Sequence, residues 1–267
     1  MGRQPPNVAG TQSVERTVAL LRELATTGIR GTRLVDLAAR TQIEYPTAHR
    51  ILQCLVQHRL IEKDPLTRRY SLGPLVYELG LAARPRTDLR EVCEPMMQRL
   101  AERTGDTVFL NVRSSLDAVC IDRREGSYPI KALVYEIGAR RPLGVGAGGL
   151  ALLMRLPWPE IQQVVKQNAS RLTAYGKLST QSVLAALKRA CDNGHVVTSG
   201  VVVPGVTSVA LPFGGRYGVP WAAVTVSSIS SRMPAPRQRE LAMLILEEIG
   251  SIEEKLQGLL GAAARAA

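Results

Sequence analysis

The chain has 267 residues, 45% of them hydrophobic and 4% aromatic, with 34 Lys and Arg against 23 Asp and Glu for a formal charge of +11. That apolar fraction excludes a disordered chain, and the length suits one large or two ordinary domains of about 100–200 residues each. No run approaches the roughly 18–20 apolar residues of a membrane span and the first thirty residues hold no apolar h-region, so the expectation is a cytoplasmic protein with no membrane partner. Cys54, Cys93, Cys120 and Cys191 form no C-x-x-C, and His49, His58 and His195 sit near no second ligand cluster. A disulfide scaffold or metal site is therefore not expected, and no cofactor is implied. The basic excess points to a polyanion and is densest early, with 12 Lys and Arg against 7 Asp and Glu in residues 1–84.

Residues 1–12 are rich in Pro, Gly and Gln and read as a flexible tail. A first helix is expected from Ser13 as N-cap, with Val14, Val18, Leu21 and Ala25 as its apolar stripe and Gly28 and Gly31 ending it. Leu34, Leu37 and Ala38 mark a short second helix. The third is expected to open with Pro46 at its first position and to run to about His58, burying Ala48, Ile51, Leu52 and Leu55. Leu60–Lys63 and Arg69–Leu72 then read as a hairpin turning at Asp64-Pro65. Three short helices and a basic hairpin describe a winged helix-turn-helix, in which the third helix enters the major groove of double-stranded DNA. Left over after core packing on that helix are Tyr45, Thr47, His49, Arg50 and Gln53, all capable of hydrogen bonding, and Lys63, Arg68 and Arg69 edge the wing. These are the candidate DNA contacts, although a small helical domain with a solvated face would show the same pattern. Cys54 is expected to be buried.

The wording SVERTVALLRELA, LVDLAARTQIEYPTAHRILQCLVQHRLIEKD and RRYSLGPLVYELG resembles the DNA-binding half of the IclR family of bacterial transcription regulators. Thr47-Ala48-His49-Arg50-Ile51-Leu52 fits that family's recognition helix and Tyr70-Ser71-Leu72-Gly73 the close of its wing, and the likeness extends over roughly residues 13–260. The resemblance implies an operator-binding regulator rather than an enzyme, acting as a homodimer or as a homotetramer built as a dimer of dimers.

Helices are expected at 75–84 and 89–105, then strands at 107–113, 117–122 and 128–135, with Ser114-Ser115 turning the first pair. Further helices are expected at 148–156, 159–168 and 180–193, strands at 196–198, 208–212 and 222–227, and a long helix at 236–260. Helices around antiparallel strands suggest a two-domain α+β protein whose C-terminal part is a sensor. The family likeness implies a GAF-like effector domain, a curved antiparallel sheet flanked by helices. The expected division is 13–74 for the DNA-binding domain, 75–87 for a linker helix, 88–260 for the effector domain and 261–267 for a tail.

Gly144-Val145-Gly146-Ala147-Gly148-Gly149 contains G-x-G-x-x-G, but Arg140-Arg141-Pro142 precedes it and no acid follows near Gln167-Asn168, so a dinucleotide site is not expected. Glycines there could let a ligand approach backbone N–H groups at a helix start, or could only pack helix on sheet. Thr225 and Ser227 share a strand face opposite Val224 and Val226, which suits a polar floor or an exposed strand equally. By likeness to the family, Gly146, Ala147, Thr198, Ser208, Thr225 and Ser227 fall on effector-contacting positions. Thr198 and Ser208 replace the family's acid and cysteine, leaving a cavity without its own negative charge. Such a cavity favours a small organic acid as effector, aromatic acids included, unless effector binding has decayed. No G-x-S-x-G, H-E-x-x-H or Walker loop supports the rival reading of an enzyme in residues 86–267.

Overall fold

The computed structural model describes residues 10–83, 88–176, 178–214 and 222–265. Most of the expected N-terminal tail, the junction 84–87 with Pro85, and the last two residues lie outside the described residues. The chain divides into two compact units, Met1–Arg86 and Thr87–Ala267.

The first unit holds α1 (Gln12–Thr26), a 3-10 turn, α2 (Leu34–Thr41), α3 (Tyr45–Gln57), β1 (Ile61–Lys63), β2 (Tyr70–Leu72) and α4 (Pro74–Ala82). Leu20, Leu24, Leu34, Leu37, Ala48, Leu52, Leu55, Ile61 and Tyr70 form its core. The buried stripe of α1 is therefore Leu20 and Leu24, one step around from the expected Val14 and Val18, which remain exposed. Helix α1 carries two adjacent apolar stripes, and α2 and α3 cover only one of them. It also begins one residue before Ser13, with Thr11 at the cap. Helix α3 starts at Tyr45, so Pro46 takes the second position rather than the first. The N–H there is free in any helix, so proline costs nothing. Cys54 lies on the exposed side of α3, correcting the expectation that it is buried.

The wing is an antiparallel pair with Ile61 opposite Leu72, and Thr32 bridges Tyr70 as a third edge. Gly31 makes that bridge possible, because a Cβ there would stand 2.5 Å from the Tyr70 carbonyl oxygen and its φ is +58°. At the tip, the Asp64 carboxylate accepts from the backbone N–H groups of Leu66 and Thr67, 2.7 and 2.8 Å away, which holds its pKa below the ordinary carboxylate value.

The second unit opens with α5 (Leu89–Thr104), β3 (Thr107–Ser114), β4 (Asp117–Glu125), β5 (Arg140–Pro142) and α6 (Gly146–Leu153). It continues through α7 (Trp158–Gln167), the single turn α8 (Ala169–Leu172), α9 (Thr180–Asn193), β6 (Val196–Ser199), β7 (Val206–Phe213), β8 (Ala222–Ile229) and α10 (Ala235–Arg265). The strands form a curled antiparallel sheet of six in the order β5-β4-β3-β8-β7-β6. One face packs α5 and α10 through Met96, Met97, Leu100, Val108, Leu110, Val224, Val226, Ile245 and Ile249. Burying each such side chain contributes about 1.5–3 kcal/mol. The other face receives α6, which is buried along its whole length and packs Leu150–Leu153 with α7 and α9 over Ala118, Ala210 and Ala223.

Residues 128–135 are not a strand. Pro129 cannot donate to a ladder, and Val134 and Tyr135 turn inward as a buried flap beside Phe109 and Cys120. The edge is taken instead by the unexpected β5, which pairs with 117–119. This three-residue antiparallel strand is what precedes the glycine run, so the parallel crossover of a dinucleotide site is absent. Asn168, fully buried, donates its amide to the carbonyls of Leu116 and Leu143, tying the end of α7 to the β3–β4 turn and to the entry of α6.

Candidate functional site

On α3 the core takes Ala48, Leu52 and Leu55, which leaves Tyr45, Arg50 and Gln53 exposed and Thr47 and His49 half-buried. Tyr45 and His49, one turn apart, stack with ring centroids 6.5 Å apart. Arg50 has no ion-pair or hydrogen-bond partner among the described residues, so its guanidinium stands free on this face. The wing cations differ from one another. Arg69 donates to the Gly31 carbonyl at 3.0 Å and Lys63 lies 5.3 Å from the centroid of the Tyr70 ring, whereas Arg68, held at φ +58° in the turn, is unpartnered among the described residues.

In the second unit the register aligns the expected hydroxyl residues. Thr198 pairs with Ser208, Ser208 with Ser227, and Ser227 with Thr107, so one row runs across four strands on the α6 face. Ser208 and Ser227 share a hydrogen bond of 2.7 Å between their hydroxyls. The next row is Ala210, Thr225 and Phe109, followed by Ala223 and Asn111. Gly146 and Gly148 bring the start of α6 down onto these rows. A Cβ at Gly146 would lie 3.2 Å from Val202 and 3.9 Å from the Tyr135 hydroxyl, and one at Gly148 would lie 2.7 Å from the Asn111 amide nitrogen. Ala147 is buried between them.

The polar groups on this face are under-satisfied. The hydroxyls of Thr107, Thr225 and Tyr135 and both side-chain heteroatoms of Asn111 are buried without a hydrogen-bond partner among the described residues. Buried polar groups are nearly always paired, so this cluster makes the α6 face the candidate ligand site. Burial pushes the Tyr135 phenol up to about 12, against the opposing charge of Arg141. The Cys120 thiol is likewise raised to about 12 by burial. Phe109, Val134 and Val202 pack together as an apolar cluster beside these groups.

All six expected effector residues thus lie on or over one face of the sheet. Sequence reasoning missed Thr107, Phe109, Asn111, Tyr135 and Arg141. The period-2 spacing of the first three carried a usable signal, since an asparagine two residues from a phenylalanine in an apolar strand is costly to bury unpaired. Tyr135 and Arg141 carried none, because they approach from irregular chain and from a strand of three residues.

The IclR helix-turn-helix family model matches residues 13–65, and the model for the bacterial transcriptional regulator IclR C-terminal region matches residues 82–252. Among curated relatives, the HTH-type transcriptional repressor AllR of Escherichia coli K12 is 26% identical over 88% of this chain and 86% of its own. The HTH-type transcriptional regulator XynR of the same strain is 26% identical over 83% and 88%. The solved IclR family regulator from Brucella abortus superposes with a TM-score of 0.74 at 23% identity, covering 91% of this chain and 92% of that one. An IclR homolog from Microbacterium hydrocarbonoxydans, complexed with 4-hydroxybenzoate, gives 0.65 at 20% identity over 91% and 99%. With both of its units matched in order by the two domain models, the chain belongs to the IclR family of bacterial transcription regulators and carries that family's helix-turn-helix DNA-binding domain.

Proposed function

We propose that this regulator binds its operator as a dimer or a dimer of dimers, and that a small organic acid held on the α6 face of the sheet modulates that binding. The observation that carries the effector half is the set of buried, unpartnered polar atoms on Thr107, Asn111, Tyr135 and Thr225 beneath the glycine-rich start of α6. Gly146 and Ala147 offer backbone N–H groups at a helix start, and Thr198, Ser208, Thr225 and Ser227 supply hydroxyls, so the site carries polar groups for an acid and no carboxylate of its own to repel it. The 4-hydroxybenzoate complex of a relative with the same fold supports an acid of this size.

In the DNA half, residues 13–74 present Arg50, with Tyr45, Thr47, His49 and Gln53, to base edges in the major groove, while Lys63, Arg68 and Arg69 bind phosphate from the wing. Residues 75–87 link this part to the effector domain of 88–260. Self-association is supported by apolar surface that the first unit leaves uncovered: Val14 on α1 is 62% exposed, and on α4 Tyr77 is 71% and Leu81 60% exposed. An acid changes operator affinity only by its differential affinity for the two states, so binding and regulation are separate measurements. Calorimetric titration of the full chain with a panel of organic acids, neutral analogues and cationic analogues tests the effector class. Acids should bind best, and a preference for cations would overturn the reading.

A further inference from the structure

Arg141 sits on β5 opposite Ala118, which places its side chain on the α6 face of the sheet. Its guanidinium carbon lies 3.8 Å from the centroid of the Tyr135 ring, and one terminal nitrogen donates to the Val134 carbonyl. The other terminal nitrogen is buried and has no partner, and no carboxylate pairs with Arg141 among the described residues. Its sequence neighbour behaves differently, since Arg140 is paired with Asp117 at 3.2 Å. Arg123, on the same side of the flap, is paired with Glu125 at 3.1 Å. A guanidinium stacked on a buried phenol, with no carboxylate to neutralise it among the described residues, is an incomplete ion-binding arrangement. The Tyr135 hydroxyl faces the start of α6 at Gly146, and two residues along that helix Gly148 touches Asn111 and Thr225. The cationic end and the amide-hydroxyl end are thus bridged by one short span, with Phe109 between them in an edge-to-face contact of 6.0 Å with Tyr135.

We infer that Arg141 is the specificity-determining residue of this effector site. Its guanidinium takes the carboxylate of an acid whose flat apolar body lies along Phe109 and Tyr135, with its distal end directed toward the polar groups of Asn111 and Thr225 at the edge of the Gly148 contact. The inference rests on the effector reading above and adds the direction in which the ligand lies and the residue that selects for its charge. Selection against an uncharged analogue follows, because the amide of the same acid cannot return a charge-assisted pair to the guanidinium.

Thermal unfolding and calorimetric titration of the full chain test this, with 4-hydroxybenzoate and 4-hydroxybenzamide as probes. The wild type should bind the acid at least tenfold more tightly than the amide. Arg141→Met should lose the acid preference, and its unfolding temperature in buffer shows whether the fold survives without the Val134 bond and the Tyr135 stack, Arg141→Lys serving as the read-out if it does not. Arg141→Lys, which keeps the charge, should retain part of the preference. Acid binding by Arg141→Met equal to that of the wild type, or equal wild-type affinity for acid and amide, would overturn the assignment of Arg141. In either of those cases the effector site itself survives if Thr225→Val weakens both probes, and falls with Arg141 if it weakens neither. No binding of either probe to the wild type at millimolar concentration would overturn both readings together.

Discussion

A Cβ on Gly148 would stand 2.7 Å from the side-chain nitrogen of Asn111, so no side chain fits between helix α6 and the buried amide that strand β3 presents to it. That contact makes the glycine a packing requirement. Gly148→Ala should destabilise the fold by about 1–3 kcal/mol, the overpacking cost exceeding the roughly 1 kcal/mol gained from helix propensity. Gly250→Ala, in α10 with no atom near the added methyl, should instead stabilise by about 0.5–1 kcal/mol. Urea midpoints of the two variants moving in opposite directions are the expected result.

Asp106 is nearly fully buried at the start of β3 and joins α10 to the sheet. Its carboxylate accepts from the Ser228 hydroxyl at 2.6 Å, from Arg232 at 3.2 Å and from Arg237 at 2.9 Å. Asp106→Asn should cost about 3 kcal/mol, the lower end of the range for breaking a buried pair, because both arginines keep some access to water. Chemical denaturation should show this loss with an unchanged m-value.

Tyr135 sets a pH dependence. Its pKa is raised to about 12 in the folded chain and is near 10 in the unfolded one, so the unfolded state releases its proton first as pH rises. The stability from burying the neutral phenol is fully present below pH 10 and is lost between pH 10 and 12. Tyr135→Phe should flatten the fall in urea midpoint across that interval. The same burial argument holds Cys120 protonated to about 12, and Cys93 is buried, whereas Cys54 and Cys191 are exposed. A thiol-reactive probe at pH 8 should therefore titrate the exposed Cys54 first, Cys191 more slowly because partial burial raises its thiol, and the buried Cys93 and Cys120 last.

On the DNA side, Arg50→Ala should weaken operator binding by about 1–3 kcal/mol and relax sequence preference, as measured by mobility shift at fixed salt. Arg68→Ala should lower affinity on all sequences and reduce the salt slope by about 1. Arg69→Ala should do the same less strongly, because its guanidinium is engaged with the Gly31 carbonyl, and should add a stability loss that Arg68→Ala lacks.

The helices and the hairpin of the first unit were legible because their cores repeat at helical or alternating spacing, and β3, β4, β7 and β8 because short stretches alternate or run apolar. What was not legible followed from tertiary coverage. Val14 and Val18 looked like the core stripe of α1, but Leu20 and Leu24 form it, and only the packing of α2 and α3 decides between two adjacent stripes. The 128–135 segment reads as a strand by composition, yet Pro129 interrupts it and Val134 and Tyr135 turn into the core, while β5 takes the edge of β4. The hydroxyl row of Thr198, Ser208 and Ser227 was found by family likeness, whereas its extension to Thr107 required the register of β3 against β8.

The central claim is that a small acid at the effector site on the sheet changes how tightly this regulator holds its operator. Footprinting and fluorescence-anisotropy titration on DNA upstream of the protein's own gene, at fixed salt with and without a bound acid, measure that coupling directly. The account predicts a protected site whose affinity shifts by at least about fivefold, the lower end of ordinary allosteric coupling, when the acid is added, and a shift abolished by Arg141→Met. An acid that binds the full chain and leaves operator affinity unchanged would contradict it.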